Sequence, residues 1–189
     1  MPDPARRPGD LPVSLGLTAA VLFFLVSGVV SYWNTRTVMR GAGHVTHTHD
    51  VLTALDDILS LMKDAETGGR GYVVTGDERY LEPYTAAAAR VDSRVNDLDR
   101  LTADNPGQQA RVPGLRELIA AKFRDLEETI GARRARGFEA AQAVVVTDRG
   151  RAVMDAIRAR ADEMEGTERQ LRADRLAAVD AAYRVAVAS

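Results

Sequence analysis

Glu66 and Arg70, four residues apart, and Glu168 and Arg175, seven apart, place acid and base on helical faces that are otherwise apolar. Glu66 continues the series Leu59 and Met62, and Glu168 continues Ala161 and Met164. One reading is a polar layer that biases a helical assembly between two packings. The other is a local Glu66 to Arg70 pair worth about 0.2–0.5 kcal/mol, with both glutamates at half-exposed stripe edges. His44, His47 and His49, all the histidines of the chain, lie in HVTHTHD beside Asp50. A helix turns His44 and His47 to one face, and imidazole binds zinc, copper or nickel. His49 points elsewhere and the ligand set is incomplete, so a solvated helix face accounts for them better. Tyr72, Tyr80 and Tyr84 could line a small-molecule pocket, although rings at helical spacing more often fill an interior.

These tyrosines flank three glycines in DAETGGRGYVVTGDERYLEPY, residues 64–84. Inside a helix, Gly68, Gly69 and Gly71 would each cost about 1 kcal/mol against alanine. A close approach of another helix, or a turn, would justify them.

Catalysis finds no apparatus. The chain has no cysteine, no glycine-rich phosphate loop after a strand and no metal-ligand array of recognisable spacing, so no enzyme, metal or cofactor is expected. Its 25 Lys and Arg against 27 Asp and Glu give a net charge of -2, which leaves no basic footprint for nucleic acid.

The elements that must position the charged pairs follow from apolar recurrence at steps of three and four. One stripe runs Val45, Leu52, Leu55, Leu59, Met62; a second runs Leu81, Tyr84, Ala88, Val91, Val95, Leu98. Val112, Leu115, Ile119, Leu126 and Ile130 form a third, and Met154, Ile157, Ala161, Met164, Leu171, Ala178 and Ala182 a fourth. No sustained period-two alternation supports a sheet. Thr75, Gly76 and Asp77 separate the first two helices, Asp104 to Gly107 the next two, with Asn105 as cap and Pro106 at the first helical position, and Gly137 the last two. Helices over 36–74, 78–101, 106–133 and 138–184, joined by short connections, predict an all-α, antiparallel up-down-up-down four-helix bundle with long outer helices. Asp148 and Gly150 loosen the start of the last helix, and Pro83 and Pro113 disturb early turns.

Residues 11–35 carry no charge, where about 20 residues suffice to cross a bilayer, and Tyr32 and Trp33 stand at one end. This predicts one uncleaved transmembrane helix, since the apolar run is longer than a signal peptide's. Two arginines on each side leave the orientation nearly tied by charge. The expected organisation is a tail at 1–10, a membrane helix at 11–35 and a helical domain at 36–184.

The residues Glu66, Thr67, Arg70, Gly71, Tyr72, Thr75, Gly76, Tyr80, Leu81, Pro83 and Tyr84 resemble the signature of the third class of CHASE domains, sensory extracellular modules associated with cyclases and histidine kinases. Asp104, Asn105, Pro106 and Gln108 resemble that family's middle break. Met154, Asp155, Ile157, Arg158, Met164, Glu168 and Arg175 resemble its last helix. The resemblance implies an extracytoplasmic sensory input domain of a bacterial receptor in the cell membrane, of histidine kinase or diguanylate cyclase type, whose output domain lies outside this chain. It also implies that the tail at 1–10 is cytoplasmic, that the domain at 36–184 is extracytoplasmic, and that residues 185–189 begin a second span, so that the receptor is cut at its second membrane entry. The signature or switch residues it singles out are Glu66, Arg70, Gly71, Tyr72, Gly76, Tyr80, Tyr84, Asp155, Arg158 and Glu168. Expected partners are the lipid bilayer, a second copy of the chain and a small-molecule or protein signal. The alternative is a stand-alone membrane-tethered helical adaptor that binds another protein.

Overall fold

In a computed structural model of the protein, the backbone is described over residues 10–188 and side chains over 16–32, 47–181 and at Arg184. The described residues form six α-helices and one 3-10 turn, with no strand among them. The helices are α1 (Asp10–Thr75), α2 (Glu82–Leu101), α3 (Pro106–Gln109), α4 (Val112–Arg136), α5 (Phe138–Val145) and α6 (Arg149–Ala188), and the 3-10 turn is Glu78–Leu81. The all-α class is as expected. The count differs, because the third and fourth helices each divide in two and the membrane and first helices are one element.

The chain divides into two compact units, Met1–Val45 and Thr46–Ser189. In the first, residues 16–32 are helical, and Leu17, Phe23, Phe24 and Leu25 are among a set of apolar side chains that are all exposed. Among the described residues no helix is long and apolar enough to cross a membrane. The span expected at 11–35 is therefore not seen as such, and both its ends, with Trp33, Val45 and His44, lie outside the described side chains.

In the second unit one apolar core draws on four helices: Val51 to Ala65 from α1, Ala87 to Leu98 from α2, Val112 to Leu126 from α4, and Met154 to Met164 from α6. The α4 stripe is buried throughout, as its spacing demands. On α1 the buried face turns slightly from the expected one: Val51 and Ile58 are inside, whereas Leu52 and Leu59 are half-buried. On α2 it is Ala87, not Ala88, that is buried. The α6 stripe leaves the core after Glu168, where Leu171 is half-buried and Ala178 exposed.

Cross-helix pairs run in reverse order along neighbours. Asp57 meets Arg94 and His47 meets Asp104, at 3.5 and 3.4 Å, so α2 returns along α1. Arg116 bonds Asn96 on α2, and Arg111 bonds Glu163 on α6 while Arg149 bonds Glu128, so α4 is antiparallel to both.

The turn chemistry explains the boundaries. Asp77 caps the 3-10 turn through the Arg79 amide, and Asn105 accepts from Gly107 and Gln108 ahead of Pro106. Pro113 falls in the first turn of α4, so it closes α3 after one turn and starts a new helix without a kink. The helix expected over 138–184 breaks at residues 146–148, where Asp148 takes the left-handed conformation at φ 57°. Aspartate tolerates that region better than most side chains.

Candidate functional site

The glycine cluster is where α1 meets the start of α2. A Cβ on Gly68 would come within 2.9 Å of the Tyr80 carbonyl oxygen and the Tyr84 amide nitrogen, and one on Gly71 would meet the Tyr80 ring at 2.7 Å. Gly69 similarly accommodates Leu126 of α4. The three residues thus trade helix propensity for backbone approach on two sides. Gly76, at φ 71°, reverses the chain, and its amide bonds the Tyr72 carbonyl.

Around that reversal, Tyr72 is buried with Leu81 and Ile130, Tyr84 is half-buried 5.8 Å from the Phe123 ring, and Tyr80 is exposed across Gly71. Burial pushes the Tyr84 phenol up from its usual value. Arg134 donates two hydrogen bonds to Glu78, at 2.9 and 2.8 Å, and lies over the Tyr72 ring. Arg133 donates to the Val73 carbonyl at 2.9 Å, capping the end of α1. An open groove of about 1000 Å³ runs along this end past Glu78, Tyr84, Glu127 and Arg134. Of the three tyrosines only Tyr84 lines it, so they do not form one pocket.

Glu66 has a second partner that the spacing of residues on α1 does not show. Its Oε1 accepts from Arg70 at 2.6 Å and stands 3.4 Å from Lys122 Nζ of α4. The Lys122 side chain is 2% exposed and that of Glu66 13%. Lys122 also donates to the Gly150 carbonyl of α6 at 2.9 Å. Its position lies between Ile119 and Leu126 on the α4 stripe, which is a core position by periodicity. A buried ammonium is tolerable there because two acceptors receive it.

This charged layer floors a second cavity, of about 360 Å³, between α1, α4, α5 and the start of α6. Val73, Leu126, Ile130 and Phe138 supply apolar lining, and Arg70 and Arg151 flank it. It combines an apolar wall with a few convergent polar groups, the usual composition of a small-ligand site.

Glu168 lies elsewhere, against α3. It is 3% exposed and accepts from Gln108 Nε2 at 2.9 Å; the same amide bonds the Met164 carbonyl. Glu168 forms no hydrogen bond or ion pair with Arg175 among the described residues. The two expected switch glutamates therefore belong to separate polar clusters. Asp155 and Arg158 pair with each other at 2.7 Å on the exposed face of α6, apart from both. His47 faces Asp104, His49 is exposed, and no group of three metal-ligating side chains occurs among the described residues.

The CHASE3 domain profile matches residues 42–178, which is most of the chain and includes all these clusters. The chain belongs to the CHASE3 domain family. A solved structure, the sensor domain of histidine kinase HK9 from Rhodopseudomonas palustris, is similar at a TM-score of 0.61 and 25% identity, covering 65% of this chain and 96% of that one. No curated protein matches this CHASE3 domain chain.

Proposed function

We infer that the CHASE3 domain of this chain is an extracytoplasmic sensory input domain of a bacterial membrane receptor. The observation that carries it is the family match over residues 42–178, joined by likeness to a histidine kinase sensor domain. That likeness supports a histidine kinase as the output, with a diguanylate cyclase as the other member of the expected pair.

We further propose that Thr46–Ser189 is an up-down-up-down four-helix bundle. The reversed pairings of α2 with α1, and of α4 with α2 and α6, support it, as does the core shared by four helices. The proposed anchor is the uncharged run at 11–35, supported by the all-round apolar exposure of residues 16–32, a surface suited to lipid. A homodimer is proposed on Leu176 and Val179, apolar and exposed on α6 past the end of the core.

The input acts by having different affinity for two packings of the outer helices. The test fuses the complete chain, through a following membrane span, to a histidine kinase core and measures autophosphorylation in vesicles. Deleting residues 42–178 should abolish any response to medium components that the intact fusion shows. Equal response from both fusions would contradict the sensory reading.

A further inference from the structure

Gly150, at the start of α6, has two charges converging on it. The Asp125 carboxylate Oδ2 lies 2.1 Å from the place where a Gly150 Cβ would stand, and Lys122 Nζ lies 3.3 Å from it. The two do not pair with each other. Lys122 has three donors, of which Gly150 O and Glu66 take two, at 2.9 and 3.4 Å. The Asp125 carboxylate has no ion pair or side-chain hydrogen bond among the described residues. Both groups line the 360 Å³ cavity.

The floor of the cavity therefore offers one unused ammonium donor and one unused carboxylate acceptor on the same small patch of backbone. Around them the formal charges balance: Arg70, Lys122 and Arg151 against Glu66, Asp125 and Asp148. A ligand of either net sign would upset that balance, and one bearing both signs on neighbouring atoms would satisfy both unused groups. Apart from Thr129 and Gln142, the other lining side chains are apolar, and the volume falls in the lower part of the range of about 300–1000 Å³ common to small-molecule sites.

We propose that this cavity is the input site and that it takes a zwitterion of the α-amino acid type with a small branched apolar side chain. Its carboxylate accepts a hydrogen bond from the unused Lys122 N–H, its ammonium meets Asp125, and its side chain packs on Val73, Leu126 and Phe138. The binding stands on this geometry; its role as input rests on the sensory reading above.

Titration calorimetry of the full chain in detergent tests it with L-leucine, isocaproate, which lacks the amine, and isoamylamine, which lacks the carboxylate. L-Leucine binds, and each analogue binds at least about tenfold more weakly. Asp125→Asn weakens L-leucine by about tenfold or more and leaves isocaproate unchanged. Val74→Trp, at an exposed position of the cavity rim, weakens L-leucine without unfolding the chain. The proposal is overturned by any of three results: either analogue binding as tightly as L-leucine, Asp125→Asn having no effect, or no L-leucine binding to a chain of unchanged helix content. Binding is read directly here, so its failure would leave the kinase-fusion result to decide the sensory reading by itself.

Discussion

Lys122 Nζ stands 3.4 Å from Glu66 Oε1, joining α4 to α1 through a pair from which water is nearly excluded. Truncating one member of such a pair strands the other, which is costlier than replacing both. Glu66→Leu should lower unfolding stability by about 3 kcal/mol or more in urea titrations. The double variant Glu66→Leu, Lys122→Met should recover most of that loss.

Gly68 and Gly131 are both helical, yet their alanine variants should move in opposite directions. A Gly68 Cβ meets backbone atoms at 2.9 Å, so Gly68→Ala should cost about 1–3 kcal/mol. Gly131 has open space around it, so Gly131→Ala should stabilise by up to about 1 kcal/mol. Thermal melts of the two variants check the pair.

Helix identity and the reversal at Gly76 were legible in the sequence because apolar spacing and turn residues agree there. Lys122 was not, although its place between Ile119 and Leu126 is a core position, because lysine on a stripe normally signals an exposed edge. The relevant partners, Glu66 and the Gly150 carbonyl, are remote in sequence and on different helices. The break at Asp148 was legible only in part: Asp148 and Gly150 signal a loosened helix start, but not the left-handed residue that separates α5 from α6. Pairing Glu168 with Arg175 failed because Gln108, from another helix, reaches the carboxylate first.

Gln108 is the sole hydrogen-bond donor to the buried Glu168 side chain among the described residues. Gln108→Leu should therefore cost about 2–3 kcal/mol, the loss of a bond to a charged group. Adding Glu168→Leu should restore stability, measured by the same urea titration.

Hydrogen bonding from Arg134 holds the Glu78 carboxyl below its ordinary value of 4.5. The folded state thus binds this proton less readily than the unfolded chain. Its contribution is fully present above about pH 4.5 and is lost as pH falls through the lowered folded value. Glu78→Gln should flatten the acid limb of a melting-temperature profile in that window while leaving the profile above it parallel.

The sensory account requires α1 and α6 to shift against each other, and the absence of native cysteine permits a direct test. Burial pushes the Glu165 carboxyl of α6 up, and the charge of Asp56 on α1 acts in the same direction against that of Arg169. In the kinase fusion, Asp56→Cys is combined in turn with Asp162→Cys, Glu165→Cys and Arg169→Cys, and autophosphorylation is measured after oxidation and again after reduction. The account predicts output that differs with the locked register and returns to one common level on reduction. Equal output in every cross-linked register would contradict it.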